Sequence, residues 1–108
     1  MSMTIYKLEI YVPASHLDAL REALAGAGAG VIGNYECCMA VIPNKGYYRP
    51  LPGADPWDGE IGKLSEVDEL KVELQCREDR LEAALEAMRR AHPYEEPAYF
   101  VIPTANKG

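Results

Sequence analysis

Ala91-His92-Pro93-Tyr94-Glu95-Glu96-Pro97-Ala98-Tyr99-Phe100-Val101-Ile102-Pro103 carries the chain from the end of a helix into a strand, and its reading decides the fold. Pro93 has no N–H to donate and its ring clashes with the preceding turn, so a helix must stop by His92. Pro97 marks where an extended run can begin, because a strand accepts proline at its first residue or on an edge. Tyr99, Phe100, Val101 and Ile102 are aromatic or β-branched, which suits a strand. Between the two prolines lie a phenol and two carboxylates, with an imidazole just before Pro93. The segment reads either as a polar site or as a rigid corner.

Upstream of the corner, Leu81, Ala84, Leu85, Met88 and Ala91 recur at helical spacing, with Glu86 and Arg90 placed to pair on the outer side. Arg77-Glu78-Asp79 opens this helix, with acids at its positive end. Before it, Leu70, Val72, Leu74 and Cys76 alternate with Lys71, Glu73 and Gln75, which predicts a strand over 70–76. The first half repeats the pattern. Tyr6, Leu8, Ile10 and Val12 alternate with Lys7 and Glu9 in a strand over 4–12. Leu17, Leu20, Leu24 and Ala27 then form the buried stripe of a helix, with Ser15 and Asp18 in capping-box spacing. Gly26 or Gly28 ends that helix. A second strand is expected over 35–43.

The order strand, helix, strand, long loop, strand, helix, strand is the split β-α-β arrangement. The predicted fold is therefore α+β, a ferredoxin-like βαββαβ sandwich. It has a four-stranded antiparallel sheet, both helices on one face, and a long loop between the second and third strands. At 108 residues the chain reads as a single domain over 1–108. The other sheet face would carry Tyr11, Cys38, Ala40, Ile42 and Tyr99 or Val101. An open apolar surface of that kind predicts a homo-oligomer, dimer or trimer.

Composition narrows the function classes. Seventeen acidic against eleven basic residues give a net charge of −6, which opposes nucleic-acid binding. No apolar run approaches the ~20 residues of a membrane helix, and the opening residues lack the basic-then-apolar order of a signal peptide. Three cysteines, an odd number, argue against a disulfide framework and for a cytoplasmic setting.

Gly28-Ala29-Gly30-Val31-Ile32-Gly33 matches a dinucleotide-binding glycine pattern, but it follows a helix and leads toward a strand, the reverse of the required context. It reads as a connection. Cys37 and Cys38, adjacent on an expected strand, would point to opposite faces and read as small apolar core residues. The connection over 44–68 contains Tyr47, Tyr48, Arg49, Trp57 and five glycines and prolines between 50 and 59, and it is long for a structureless loop in a small domain. Its aromatic content predicts that it folds back and covers something.

Four motifs together resemble a known family. They are Gly28-Ala29-Gly30 with Gly33-Asn34-Tyr35 and Cys38; Tyr48-Arg49-Pro50-Leu51-Pro52-Gly53-Ala54-Asp55-Pro56; Gly59-Glu60 with Gly62, Leu64 and then Glu73; and His92-Pro93-Tyr94-Glu95-Glu96-Pro97-Ala98-Tyr99. Over residues 4 to 103 the chain resembles the domain inserted in the middle of bacterial Nif-three-like proteins of the YqfO group. The His-Pro-Tyr-Glu segment is also similar to the CutA divalent-ion tolerance proteins, which share a trimer-forming ferredoxin-like core with the PII signalling proteins. The dinuclear metal centre of Nif-three-like proteins does not carry over, because its ligands lie in flanking halves and this chain has only His16 and His92. The resemblance implies a regulatory or assembly role. Two departures stand out: Asn44-Lys45-Gly46-Tyr47 lacks a second glycine before the aromatic, and Trp57-Asp58 replaces an aromatic–aliphatic pair.

Three readings follow. The first is a non-catalytic oligomeric binding or regulatory module of the CutA/PII type. Tyr48, Arg49, Tyr94 and Glu96 would contact a small ligand, and His92 with Glu95 would hold a divalent metal ion, zinc or copper. Glu73, Asp55 or a neighbouring subunit would complete that metal set. The second is a structural domain that assembles with itself or with a protein partner. The third is a small enzyme using Cys37 or Cys38 with His92, or Glu95 with Glu96 as an acid–base pair.

Overall fold

The computed structural model describes residues 3–107. Alternation over the first strand, β1 (Ile5–Val12), buries Leu8, Ile10 and Val12, and Ile5 is buried at the strand's start on the opposite side of the alternation. The chain then turns through a short 3-10 segment, Ala14–His16, into helix α1 (Leu17–Gly26). The remaining elements are β2 (Ala40–Tyr48), β3 (Ser65–Arg77), α2 (Leu81–Ala91) and β4 (Tyr99–Pro103). The sheet order is β2-β3-β1-β4 with every neighbouring pair antiparallel. This is the ferredoxin-like α+β sandwich expected from the sequence.

The core lies between the sheet and the two helices. Leu8 faces Leu74 and Val101 across the ladder, and Ile10 faces Val72 and Tyr99. On these pack Leu20 and Leu24 from α1 and Ala84 and Met88 from α2, all without solvent exposure. Leu17, Ala27, Leu81 and Leu85 close the edges of the same cluster. Full burial of such side chains stabilises the fold by about 1.5–3 kcal/mol each. The Glu86–Arg90 pair forms at 2.6 Å on the solvent side.

Helix ends follow their residues. Past α1, the Ala29 N–H reaches the Leu24 carbonyl at 3.0 Å and the Gly28 N–H reaches Ala25 at 3.0 Å. This is the Schellman closure, and Gly28 takes the left-handed conformation it needs, at φ +92°. At the other end the expected capping box does not form. Ser15 Oγ pairs with His16 Nδ1 at 2.8 Å, and Asp18 accepts from Arg21 at 2.9 Å instead. Helix α2 stops at Ala91, and His92 is extended at φ −85°, ψ 135° ahead of Pro93.

The second and third strands differ from the sequence reading. The strand expected over 35–43 runs instead over Ala40–Tyr48, and the third strand begins at Ser65 rather than residue 70. Residues 31–39 are taken up by a connection containing an Ile32–Tyr35 bridge and a left-handed Cys37. Pro43 sits inside β2 because β2 is an edge strand, where a missing N–H breaks no ladder. Part of the expected loop is thus a β-hairpin arm, pairing as far as Tyr48 with Ser65. The true loop is residues 49–64.

Two further expectations change. Cys37 is exposed and Cys38 half-exposed in the connection, so neither is a core residue; the buried thiol is Cys76. The open sheet face is also not uniformly apolar. Tyr99 and Val101 point to the helices, and Phe100 and Ile102 take the open side with Ile42 and Tyr11. At its centre Lys7 and Lys71 interlock with Glu9 and Glu73 at 3.0–3.6 Å. The Glu9 and Glu73 carboxylates raise the Lys7 pKa, and the Lys71 hydrogen bond lowers that of Glu73. The open face is a charged centre with apolar flanks.

Candidate functional site

The site lies where the arm, its loop and the proline corner meet. Rigid backbone at Pro93 and Pro97 carries residues 93–98 across the end of the sheet. His92, only 7% exposed, anchors this corner. Its Nε2 lies 2.6 Å from the Tyr11 carbonyl, and the Tyr94 backbone N–H donates to its Nδ1 at 3.2 Å. An acceptor at one nitrogen and a donor at the other define a neutral ring carrying its proton on Nε2. Burial, ahead of the opposing Tyr11 hydrogen bond, lowers its pKa and favours the same neutral form.

The loop folds back onto this corner. Glu95 Oε1 accepts the Asp55 backbone N–H at 2.9 Å. Four rings run in series: His16 to Trp57 at 5.5 Å, Trp57 to Tyr94 at 5.8 Å, and Tyr94 to His92 at 4.9 Å. The loop's own geometry is set by Tyr48 Oη donating to the Asp58 carbonyl at 2.7 Å and by the Gly62 N–H reaching Pro50 at 2.7 Å.

A cleft of about 420 Å³ remains between loop, arm and corner, within the usual size of a small-molecule site. Tyr11, Tyr47, Tyr48, Trp57 and Tyr94 supply its aromatic surface. Its charged groups are Arg49, Asp58, Glu69, Glu95 and Glu96. Burial first, then the charge of Glu69, pushes the Tyr94 phenol up to about 12, so it stays protonated. Glu69 is fixed by Asn44 Nδ2 at 2.9 Å, and its carboxylate lies over Gly46, where a Cβ would collide with it.

The structure brings Tyr48, Arg49, Tyr94 and Glu96 together in the walls of this one cleft, along with Glu95. His92 stands behind the wall. Glu69 belongs to the cleft without having been singled out from sequence, while Gly46 and Tyr11 were noted only in other roles; the Asn44–Glu69 register of the arm puts Glu69 and Gly46 there. His92 and Glu95 are each engaged by protein groups in this arrangement. Both imidazole nitrogens are engaged, Glu95 holds the loop through Oε1, and Glu73 is locked in the sheet-face ion network. Among the described residues no three His, Cys, Asp or Glu side chains cluster as a metal site. The nucleophile-and-base arrangement also separates. Cys38 bonds to Gly30, whose own N–H reaches Gln75, whereas His92 binds Tyr11, paired with Lys71. Four residue steps along β3, from Lys71 to Gln75, divide the two places, roughly 13 Å at strand spacing.

Relatives share this chain almost end to end. It is 45% identical over 105 residues to a GTP cyclohydrolase 1 type 2 homolog of Halalkalibacterium halodurans, covering 97% of this chain and 28% of that protein. The crystal structure of a Bacillus cereus protein related to NIF3 superposes with a TM-score of 0.88 at 36% identity, over 100% of this chain and 28% of the other. Over nearly its whole length this chain is similar to one part of Nif3-related proteins. It spans just over a quarter of the length of both Nif3-related matches. CutA1 from Oryza sativa shares the fold, with a TM-score of 0.71 at 17% identity over 99% of this chain and 85% of its own. No family model matches the sequence.

Proposed function

We propose that this chain is a non-catalytic, self-assembling module that binds a small ligand in the cleft between residues 49–64 and the proline corner. The observation that carries the reading is the closure of the loop onto the corner through Glu95 and Trp57, which leaves an aromatic cleft open beneath it. An arm whose only task was to cover a sheet edge would gain by filling that space, because empty volume forfeits packing contacts. The chemistry in the walls is that of recognition: ring faces, carboxylates and one guanidinium. The name GTP cyclohydrolase 1 type 2 homolog belongs to relatives more than three times as long, and their activity is not carried over to this chain.

Assembly is the second part of the proposal. Ile42, Phe100 and Ile102 flank the charged centre of the open face, and Phe100 remains 55% exposed. An apolar rim around a salt-bridged middle suits a second copy of the same face, offering specificity through charge and affinity through the rim.

Native mass spectrometry and thermal shift against Zn²⁺, Cu²⁺, ATP and small organic amines and acids test the reading. A bound species lost in Trp57→Leu, in a dimeric or trimeric chain, is the expected result. Unchanged mass and melting temperature across the whole panel would favour a purely structural interaction domain instead, and a monomer by light scattering would refute the assembly.

A further inference from the structure

The walls of the cleft are unequal in charge. Four carboxylates, Asp58, Glu69, Glu95 and Glu96, line it against the single guanidinium of Arg49. They are not alike in their commitments. Glu95 is used by the Asp55 N–H, whereas Asp58 bonds Tyr48 only through its backbone carbonyl and Glu96 is exposed. Glu69 is held at one oxygen by Asn44 and is half-buried. Gly46 lies against the same carboxylate oxygen, and a Cβ there would collide with it.

The same cleft is lined by Tyr11, Tyr48, Trp57 and Tyr94. Aromatic faces carry negative quadrupole charge and attract cations, most strongly when water is excluded. Burial is the main reason the Tyr94 phenol stays protonated, and Glu69, Tyr48 and Asp58 add to it, since each opposes a further anion there. Rings and carboxylates thus favour the same class of guest.

From this geometry, and resting on the reading of the cleft as a ligand site, we infer that the ligand is a protonated amine on an aromatic or apolar body: the ammonium at Glu69 and the body against Trp57 and Tyr94. Arg49, on the exposed rim and without an ion-pair partner among the described residues, is left to a distal polar group.

Trp57 is the only tryptophan in the chain, so its emission reports the cleft directly. The probes are phenethylamine, with phenylacetate as its anionic counterpart of similar shape. Phenethylamine is expected to shift Trp57 emission saturably, with affinity falling on added salt. Glu69→Gln should weaken it about tenfold or more, the scale of a lost charge-assisted hydrogen bond. Gly46→Ala, which keeps the charge but displaces the carboxylate, should weaken it in the same direction. Circular dichroism confirms that each variant folds. Tighter binding of phenylacetate than of phenethylamine would overturn the ligand class and leave the cleft as a site. Equal phenethylamine affinity in the chain and in Glu69→Gln would overturn the role of Glu69 and the inference with it. No emission change with either probe, together with a silent ligand panel, would remove both the inference and the binding reading beneath it.

Discussion

Glu95 accepts the backbone N–H of Asp55 at 2.9 Å, across forty positions of sequence. This bond fastens the loop to the corner where the chain has no covalent reason to hold it. Glu95→Ala should release it, and Glu95→Gln should keep it, because the amide oxygen still accepts. The expected result in hydrogen exchange is faster exchange at Asp55 and its neighbours in Glu95→Ala by roughly fivefold, corresponding to about 1 kcal/mol for one net hydrogen bond. Identical protection in the chain and in Glu95→Ala would show that other contacts hold the loop.

His92 makes stability depend on pH in a defined direction. Burial lowers its folded pKa below the ordinary value of 6.5. The unfolded chain therefore takes up a proton before the folded one does. The stabilisation is complete above about pH 6.5 and is lost as the pH falls toward the lowered folded value. The melting temperature should drop between pH 7.5 and 5, and His92→Gln, which can still donate toward the Tyr11 carbonyl, should flatten that slope. The background carboxylates titrate in both proteins, so the difference between the two curves isolates the imidazole. Parallel curves would mean that the ring is not titrating against the fold.

The corner and the core were legible in sequence because each rests on local rules. Pro93 forces the helix to end, and the alternation of Leu8, Ile10 and Val12 against Val72 and Leu74 needs only a period of two. The arm was not legible. Gly46 and Pro43 are poor strand residues, and residues 65–69 are mostly acidic, so no hydrophobic alternation marks them. They form strands because they are paired: Lys45 lies 3.0 Å from Glu66, and Asn44 bonds Glu69. The cleft inherits this limit. Tyr48, Arg49, Tyr94 and Glu96 stand in motifs that can be quoted, whereas Glu69 enters only through the register of a strand the pattern did not reveal. The cysteines fail for a related reason: Cys37 is left-handed at φ 58° and so lies outside any strand alternation.

The three thiols should therefore react in order of access. Cys37 is exposed, Cys38 intermediate and Cys76 buried, and burial raises the Cys76 pKa, further reducing its thiolate. Timed iodoacetamide labelling read by mass spectrometry should modify Cys37 first, Cys38 more slowly, and Cys76 only on unfolding. Early labelling of Cys76 in the native chain would contradict its place in the core.

Leu24 and Phe100 separate folding from assembly. Leu24 is wholly buried between α1 and the sheet, and Leu24→Ala should destabilise the chain by about 2–5 kcal/mol through lost transfer energy and a cavity. Phe100 lies on the open face at 55% exposure, in edge contact with Tyr11 at 6.4 Å. Its truncation to alanine should cost an isolated chain about 1 kcal/mol or less, as surface substitutions do. In an assembly built on that face the same residue is buried by its neighbour, and the melting temperature of the parent chain rises with protein concentration. Phe100→Lys should abolish that concentration dependence while leaving the dilute-limit melting temperature nearly unchanged. Calorimetry over a hundredfold range of concentration reads both at once. A parent chain that melts at one temperature throughout the range would show that its open face stays in water.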